Sequence, residues 1–304
     1  MRRRLAILGI VLLGIGGVSA IGLWWALGPG ASQQISTTDL PSLPELPAPP
    51  SPPAPEPASP DPEDSRPAES SAALKVGVLD QGKLTVEGRG QPFATEEYSL
   101  KRLESGEIVL ESRGTLTFKI AFINAQATFM QVMRFNSEKR PLSYQLALHG
   151  PVGIGNRKVS ALFRATEGVL HDGEKESTIQ LPEEPFLLLG MFSSYTLLTL
   201  WAEPAEPLTL KVITLRGERG AGAPPTPEVT LERLGIVRLQ GPESTSTEAE
   251  EYLLQSERFS LKFYRDGERF LGMRSVATEK DPEGIFFIYR SDLFPKGFTV
   301  LQAP

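Results

Sequence analysis

"PEEPFLLLGMFSSYTLLTLWAEP", residues 182–204, is the stretch on which the fold turns. Between Glu184 and Glu203 it carries no charge. It is therefore a second membrane span, a buried element, or the wall of a site for an apolar molecule. Phe186 to Trp201 makes a helix of about 24 Å at ~1.5 Å per residue, short of a ~30 Å hydrocarbon core. Acids flank it on both sides, and no basic cluster marks a cytoplasmic end. Its side chains must then be hidden by the module it belongs to. Pro185 suits a first helical turn, Glu183 and Glu184 suit a helix N-terminus, and Pro204 and Pro207 mark a stop. The pattern predicts an apolar helix near 186–201, with Leu187, Met191, Tyr195 and Leu198 on one face. Leu188, Leu189 and Phe192 make the other sides apolar too, and residues 196–201 also suit a strand. Such a helix either plugs an open sheet or closes a concavity that holds a lipid.

Around it the chain reads as strands. Glycine turns are expected at Gln81-Gly82, Ser105-Gly106, Asp172-Gly173 and Asp266-Gly267, where positive φ closes a hairpin. Period-two alternation places Leu116, Phe118, Ile120 and Phe122 on one face, and likewise Tyr144, Leu146 and Leu148, and Phe259, Leu261 and Phe263. "QATFMQVMRF" (126–135) reads as a central strand apolar on both sides, with Phe129, Met133 and Phe135 sharing a face. Residues 216–228 and 240–251 read as loops within one domain, the first also fitting a domain boundary. The fold class expected is mainly β: a curved antiparallel sheet or half-barrel with one apolar helix.

The N-terminal quarter is different. Leu5 to Leu27 is free of charge and follows Arg2, Arg3 and Arg4. Its 23 residues span roughly 34 Å as a helix, enough to cross a bilayer. The arginines place the N-terminus in the cytoplasm and the rest outside. Residues 1–28 are thus a transmembrane anchor, or a cleaved signal if "VSA" (18–20) is a processing site. Residues 29–72 form a linker; Pro41 to Pro67 holds 12 prolines in 27 residues, which favours an extended polyproline II chain. Residues 73–304 are the exported β-rich domain.

Composition narrows the chemistry. The formal charge is −6 and no block after Arg4 is strongly basic, so nucleic acid is not an expected partner. There is no cysteine, which excludes disulfides, thiol nucleophiles and Cys-ligated zinc. The two histidines, His149 and His171, lie far apart and suggest no metal site. Ser193 and Ser194 lack the G-x-S-x-G elbow of a serine hydrolase. No cofactor, metal or catalytic residue is expected, and the chain does not read as an enzyme.

The order "GRGQPFATEEYSLKR", "LPEEPFLLLGMFSSYTLLTLW", "EEYLLQSERFSLKFYRDGERFLGMRS" and "IFFIYRSDLFP" resembles a family of uncharacterised exported bacterial proteins built on a curved antiparallel sheet. Their architecture is similar to that of the lipoprotein-localisation carriers. The resemblance implies an apolar cavity between sheet and helix, and a lipid or other apolar ligand. The candidate ligand-binding residues are Phe129, Met133, Leu187, Met191, Tyr195 and Leu198. The alternative is a non-catalytic structural or interaction module that meets an envelope protein. The bilayer is the remaining expected partner, through residues 5–27.

Overall fold

A computed structural model describes residues 76–120, 123–150, 156–173, 175–202, 206–215, 228–242, 245–256, 259–276 and 286–302. The expected anchor, the linker and residues 216–227 lie outside this set, as do Phe122 and the side chains of Phe118 and Ile120. Among the described residues no helix is long and apolar enough to cross a membrane.

The first half is an antiparallel meander: β1 (Gly77–Gly88), β2 (Gln91–Arg102), β3 (Ile108–Ile120), β4 (Ile123–Phe135), β5 (Pro141–His149), β6 (Asn156–Phe163), β7 (Glu167–Asp172) and β8 (Lys175–Gln180). After a short link comes β9 (Phe186–Leu189), then a 3-10 turn (Phe192–Leu197) that runs into α1 (Leu198–Trp201). A second meander follows: β10 (Leu208–Thr214), β11 (Glu228–Gln240), β12 (Ser246–Gln255), β13 (Ser260–Asp266), β14 (Arg269–Ser275) and β15 (Phe286–Arg290), with β16 (Thr299–Gln302) last.

All sixteen strands form one sheet, ordered β8-β7-β6-β5-β4-β3-β2-β1-β15-β14-β13-β12-β11-β10-β9, with β16 added to β11. The two meanders join where β1 pairs antiparallel with β15, Gly88 opposite Phe286. The sheet's edge strands, β8 and β9, are separated only by residues 181–185. A link that short spans at most about 20 Å, so the sheet must curl until its edges nearly meet. Arg140 clamps the link by donating to the carbonyls of Pro182 and Glu183.

The main core fills the concave side. Leu84, Leu100, Leu110, Phe129, Met133, Tyr144, Leu170, Leu210, Phe263 and Ile288 all have at most 1% of their surface exposed. A second cluster lies on the opposite face of β11–β15, where Phe294 and Phe298 cover Tyr264, Leu271 and Tyr289. β11 serves both cores because of a bulge between Arg233 and Gly235. One extra residue reverses the alternation. Val229 and Leu231 therefore face the main core, while Val237 and Leu239 face the second.

The expected turns at Ser105-Gly106, Asp172-Gly173 and Asp266-Gly267 are present, each glycine at positive φ. The turn expected at Gln81-Gly82 is not. β1 runs straight through it, and the hairpin closes at Arg89-Gly90, with φ of 52° and 70°. Gly82 has another role: a Cβ there would lie 2.2 Å from Nε of Arg290.

The helix expected near 186–201 begins only at Phe192. Residues 186–189 are a strand paired parallel to β10. A four-residue apolar run between Pro185 and Gly190 suits a buried strand as well as a helix, and its pairing partner decides. The loop expected over 240–251 shrinks to 241–245, because "STEAEE" enters β12. Its acids pair across strands: Glu250 with Arg265 (2.8 Å) and Arg233 (3.0 Å), and Glu251 with Lys262 (3.0 Å). Strand β4 alternates rather than being apolar on both sides, with Gln131 inside and Met130 outside.

Candidate functional site

The segment 190–201 crosses the concave face as a plug, and four side chains hold it. Gln131 Oε1 on β4 accepts from the Met191 amide at 2.6 Å, and Gln131 Nε2 donates to Ser193 Oγ at 3.2 Å. Glu96 Oε2 on β2 accepts from the Ser193 amide at 2.9 Å. At the far end, Lys139 of the β4–β5 turn donates to the Leu200 carbonyl at 2.7 Å, and Arg265 of β13 donates to that of Thr199 at 3.2 Å. Two cations thus meet the last carbonyls of the helical stretch, where the backbone dipole favours positive charge. Gly190 is required at the plug's entry, since a Cβ would lie 2.0 Å from Gln131 Oε1 and 2.9 Å from the Tyr144 ring.

This site is sealed. Glu96, Gln131, Ser193 and Ser194 are at most 1% exposed. Among the described residues, Glu96 Oε1 and the Tyr144 hydroxyl have no hydrogen-bond partner. Burial pushes the Glu96 carboxyl up to about 7, against the hydrogen bonds from Ser112, Ser193 and the Phe192 amide. Burial likewise raises the Tyr144 hydroxyl, helped by the nearby Glu96 charge.

A second buried cluster lies where β1 meets β15. Arg290 Nη1 donates to Asp80 Oδ1 at 2.9 Å and to the Phe270 carbonyl at 3.3 Å. Its Nε and Nη2 grip Asp292 at 2.8 and 2.7 Å. Asp80 Oδ2 accepts from the Tyr98 hydroxyl at 2.6 Å and the Phe270 amide at 2.9 Å. The guanidinium lies in the slot that Gly82 leaves open. Burial pushes the Asp80 carboxyl above its ordinary range, against the Tyr98, Phe270 and Arg290 contacts. For Asp292 burial also pushes up, but the Arg290 fork outweighs it and the carboxyl stays below its usual range.

The six residues expected to bind an apolar ligand do come together in the main core cluster. They come from three places: Phe129 and Met133 from β4, Leu187 from β9, and Met191, Tyr195 and Leu198 from the plug. Leu187 is not on a helical face with the others, because it lies in a strand. Met133 and Leu198 are 0% exposed, and Phe129 and Leu187 are 1% exposed. Atoms that close leave no space for a ligand on the core side of these four. Tyr195 is half-buried with its ring against Phe286, which also meets Phe192, itself edge-on to Phe93. His149 and His171 are exposed while Ser193 and Ser194 are sealed, so these residues do not assemble a triad. Among the described residues, no group of three metal-ligating side chains is present.

Alternation could have revealed the buried polar residues. Ala94, Glu96, Tyr98 and Leu100 share one parity, as do Phe129, Gln131 and Met133. A polar residue at an inward position of such a run demands a partner. Which partner it finds is a tertiary matter.

A cavity among the described residues lies elsewhere, on the outer side of β1–β5. It is a groove of about 460 Å³, bordered by Lys83, Thr95, Glu97, Arg113, Thr115, Thr128, Met130 and His149, with Glu96, Gly114 and Phe129 beneath.

No protein-family model and no curated protein matches this sequence. Among solved structures, a β-barrel-like protein of a domain of unknown function, DUF1849, from Brucella abortus is similar at a TM-score of 0.41 and 8% identity, covering 75% of this chain and 98% of that one.

Proposed function

We propose that the chain is a membrane-tethered, extracytoplasmic β domain that acts as a non-catalytic interaction module of the cell envelope. One observation carries this reading: the concave side, where a carrier would hold its ligand, is filled by the chain's own plug, with Met133, Tyr144 and Leu198 at 0% exposure. The polar clusters fit a bracing role, because a substrate cannot reach side chains that are at most 5% exposed, such as Glu96, Ser193, Asp80 and Arg290. Residues 5–27 supply the anchor and residues 29–72 a spacer that reaches on the order of 100 Å when extended.

The chain has no cysteine, so a single Leu162→Cys, at a side chain 62% exposed, gives a clean topology probe. In cells with a permeable outer barrier and an intact inner membrane, a membrane-impermeant maleimide is expected to label it fully. Protection until the inner membrane is lysed would overturn the tethered, extracytoplasmic reading.

A second reading, an apolar ligand taken up as the plug moves aside, is favoured by the half-buried aromatic group of Phe93, Phe192 and Tyr195 beside Phe286. Native mass spectrometry of residues 73–304, freed of the anchor that would itself retain lipid, separates the two. The interaction module is expected to fly without lipid, and a stoichiometric acyl-chain adduct would favour the carrier instead.

A further inference from the structure

The outer groove has a regular floor. Thr85 pairs with Thr95, Thr95 with Thr115, Thr115 with Thr128, and Thr128 with His149. Four threonines thus stand in one row across β1–β4, with His149 continuing it on β5. Neighbouring strands are ~4.8 Å apart, so hydroxyls recur along the row at about that interval, each able to donate and accept. The next row outward holds Lys83, Glu97, Arg113 and Met130. Arg113 donates to Glu97 from Nε and Nη2, which sets that rim in place. Met130 is 61% exposed and borders the groove.

We propose that this groove binds a linear glycan strand, laid across the sheet along the row Thr95–Thr115–Thr128–His149. A glycan chain offers hydroxyls at a repeat close to the strand spacing, and the threonine row meets them with groups of the same kind. The threonine methyls, the Met130 thioether and the His149 ring face the apolar C–H surfaces of the sugar rings. Lys83 and Arg113 outnumber Glu97, so the rim also tolerates sugar carboxylates. The volume of about 460 Å³ lies within the ~300–1,000 Å³ of small-molecule sites. A hydroxyl floor does not suit an acyl chain, and a peptide strand adds to sheet edges rather than to a sheet face. Threonine is a good exposed strand residue in its own right, and that bland explanation makes the opposite prediction in the test.

The inference stands on the groove alone and does not depend on the tether. The full chain, held where needed in a detergent without a sugar headgroup, is titrated calorimetrically with chitohexaose and with cellohexaose. Saturable binding of at least one hexamer is expected. Thr115→Val with Thr128→Val, which keeps shape and removes two hydroxyls, should weaken it tenfold or more with an unchanged melting temperature. Met130→Ala should weaken it about threefold, and Thr178→Val on β8 should leave it unaltered. Absence of saturable binding by either hexamer, or binding that the double variant leaves intact, overturns the proposal.

Discussion

Arg290→Met is expected to lower the unfolding free energy by about 3–5 kcal/mol, the usual cost of removing one partner from a buried ion pair. In a domain of this size that lowers Tm by about 6–20 °C. Methionine fills much of the same volume, so loss of packing is not the main term. The cost comes from Asp80, which is 5% exposed and is left with Tyr98 and the backbone amides of Phe270 and Gln81 but no cation. Asp292 also loses the fork that holds its carboxyl down. An orphaned Asp80 escapes its penalty by taking up a proton, so the variant's deficit should shrink as pH falls. Urea unfolding at pH 5 and pH 8 measures this. A deficit under 1 kcal/mol at pH 8, or one that grows in acid, would show that the cluster does not brace the β1–β15 seam.

The plug carries its own pH signature. Glu96 titrates near 7 in the fold against an ordinary 4.5. Below pH 4.5 the group is protonated in both states and contributes no pH dependence. Between 4.5 and 7 the folded chain holds a proton that the unfolded chain has released, so stability falls as pH rises. Above 7 the full cost is present, about 3 kcal/mol at 1.36 kcal/mol per pH unit. Glu96→Gln keeps an oxygen to accept from the Ser193 amide and cannot ionise. The variant should match the parent at pH 4 and exceed it by about 3 kcal/mol at pH 8. Comparing the two chains cancels every other titrating group, including Asp80 and Asp292. Parallel stability curves from pH 4 to 8 would mean that Glu96 is not buried against the plug.

Hydrophobic pattern was a good guide wherever burial is set within one strand. The alternation of Tyr144, Leu146 and Leu148 names their inward face, and all three are buried. Three of four glycine turns are found because positive φ is a local demand. The fourth failed for an instructive reason: Gly82 is required by Arg290, 208 positions away, and not by the bend of its own backbone. Four of the six candidate ligand residues, Leu187, Met191, Tyr195 and Leu198, share a helical period that Leu187 does not obey, since β10 draws it into a strand.

By itself, then, the amino-acid order determined the class of the domain, the inward faces of its strands and the need to hide residues 186–201, because period, charge and backbone freedom act over a few residues. Only the tertiary structure decided that the greasy segment splits into strand and plug, that Glu96, Gln131, Lys139 and Arg265 hold that plug, and that Arg290 seals the junction of two meanders. Those outcomes depend on which distant groups satisfy a buried polar atom. That choice is made when strands far apart in the chain pair, and no local pattern encodes it.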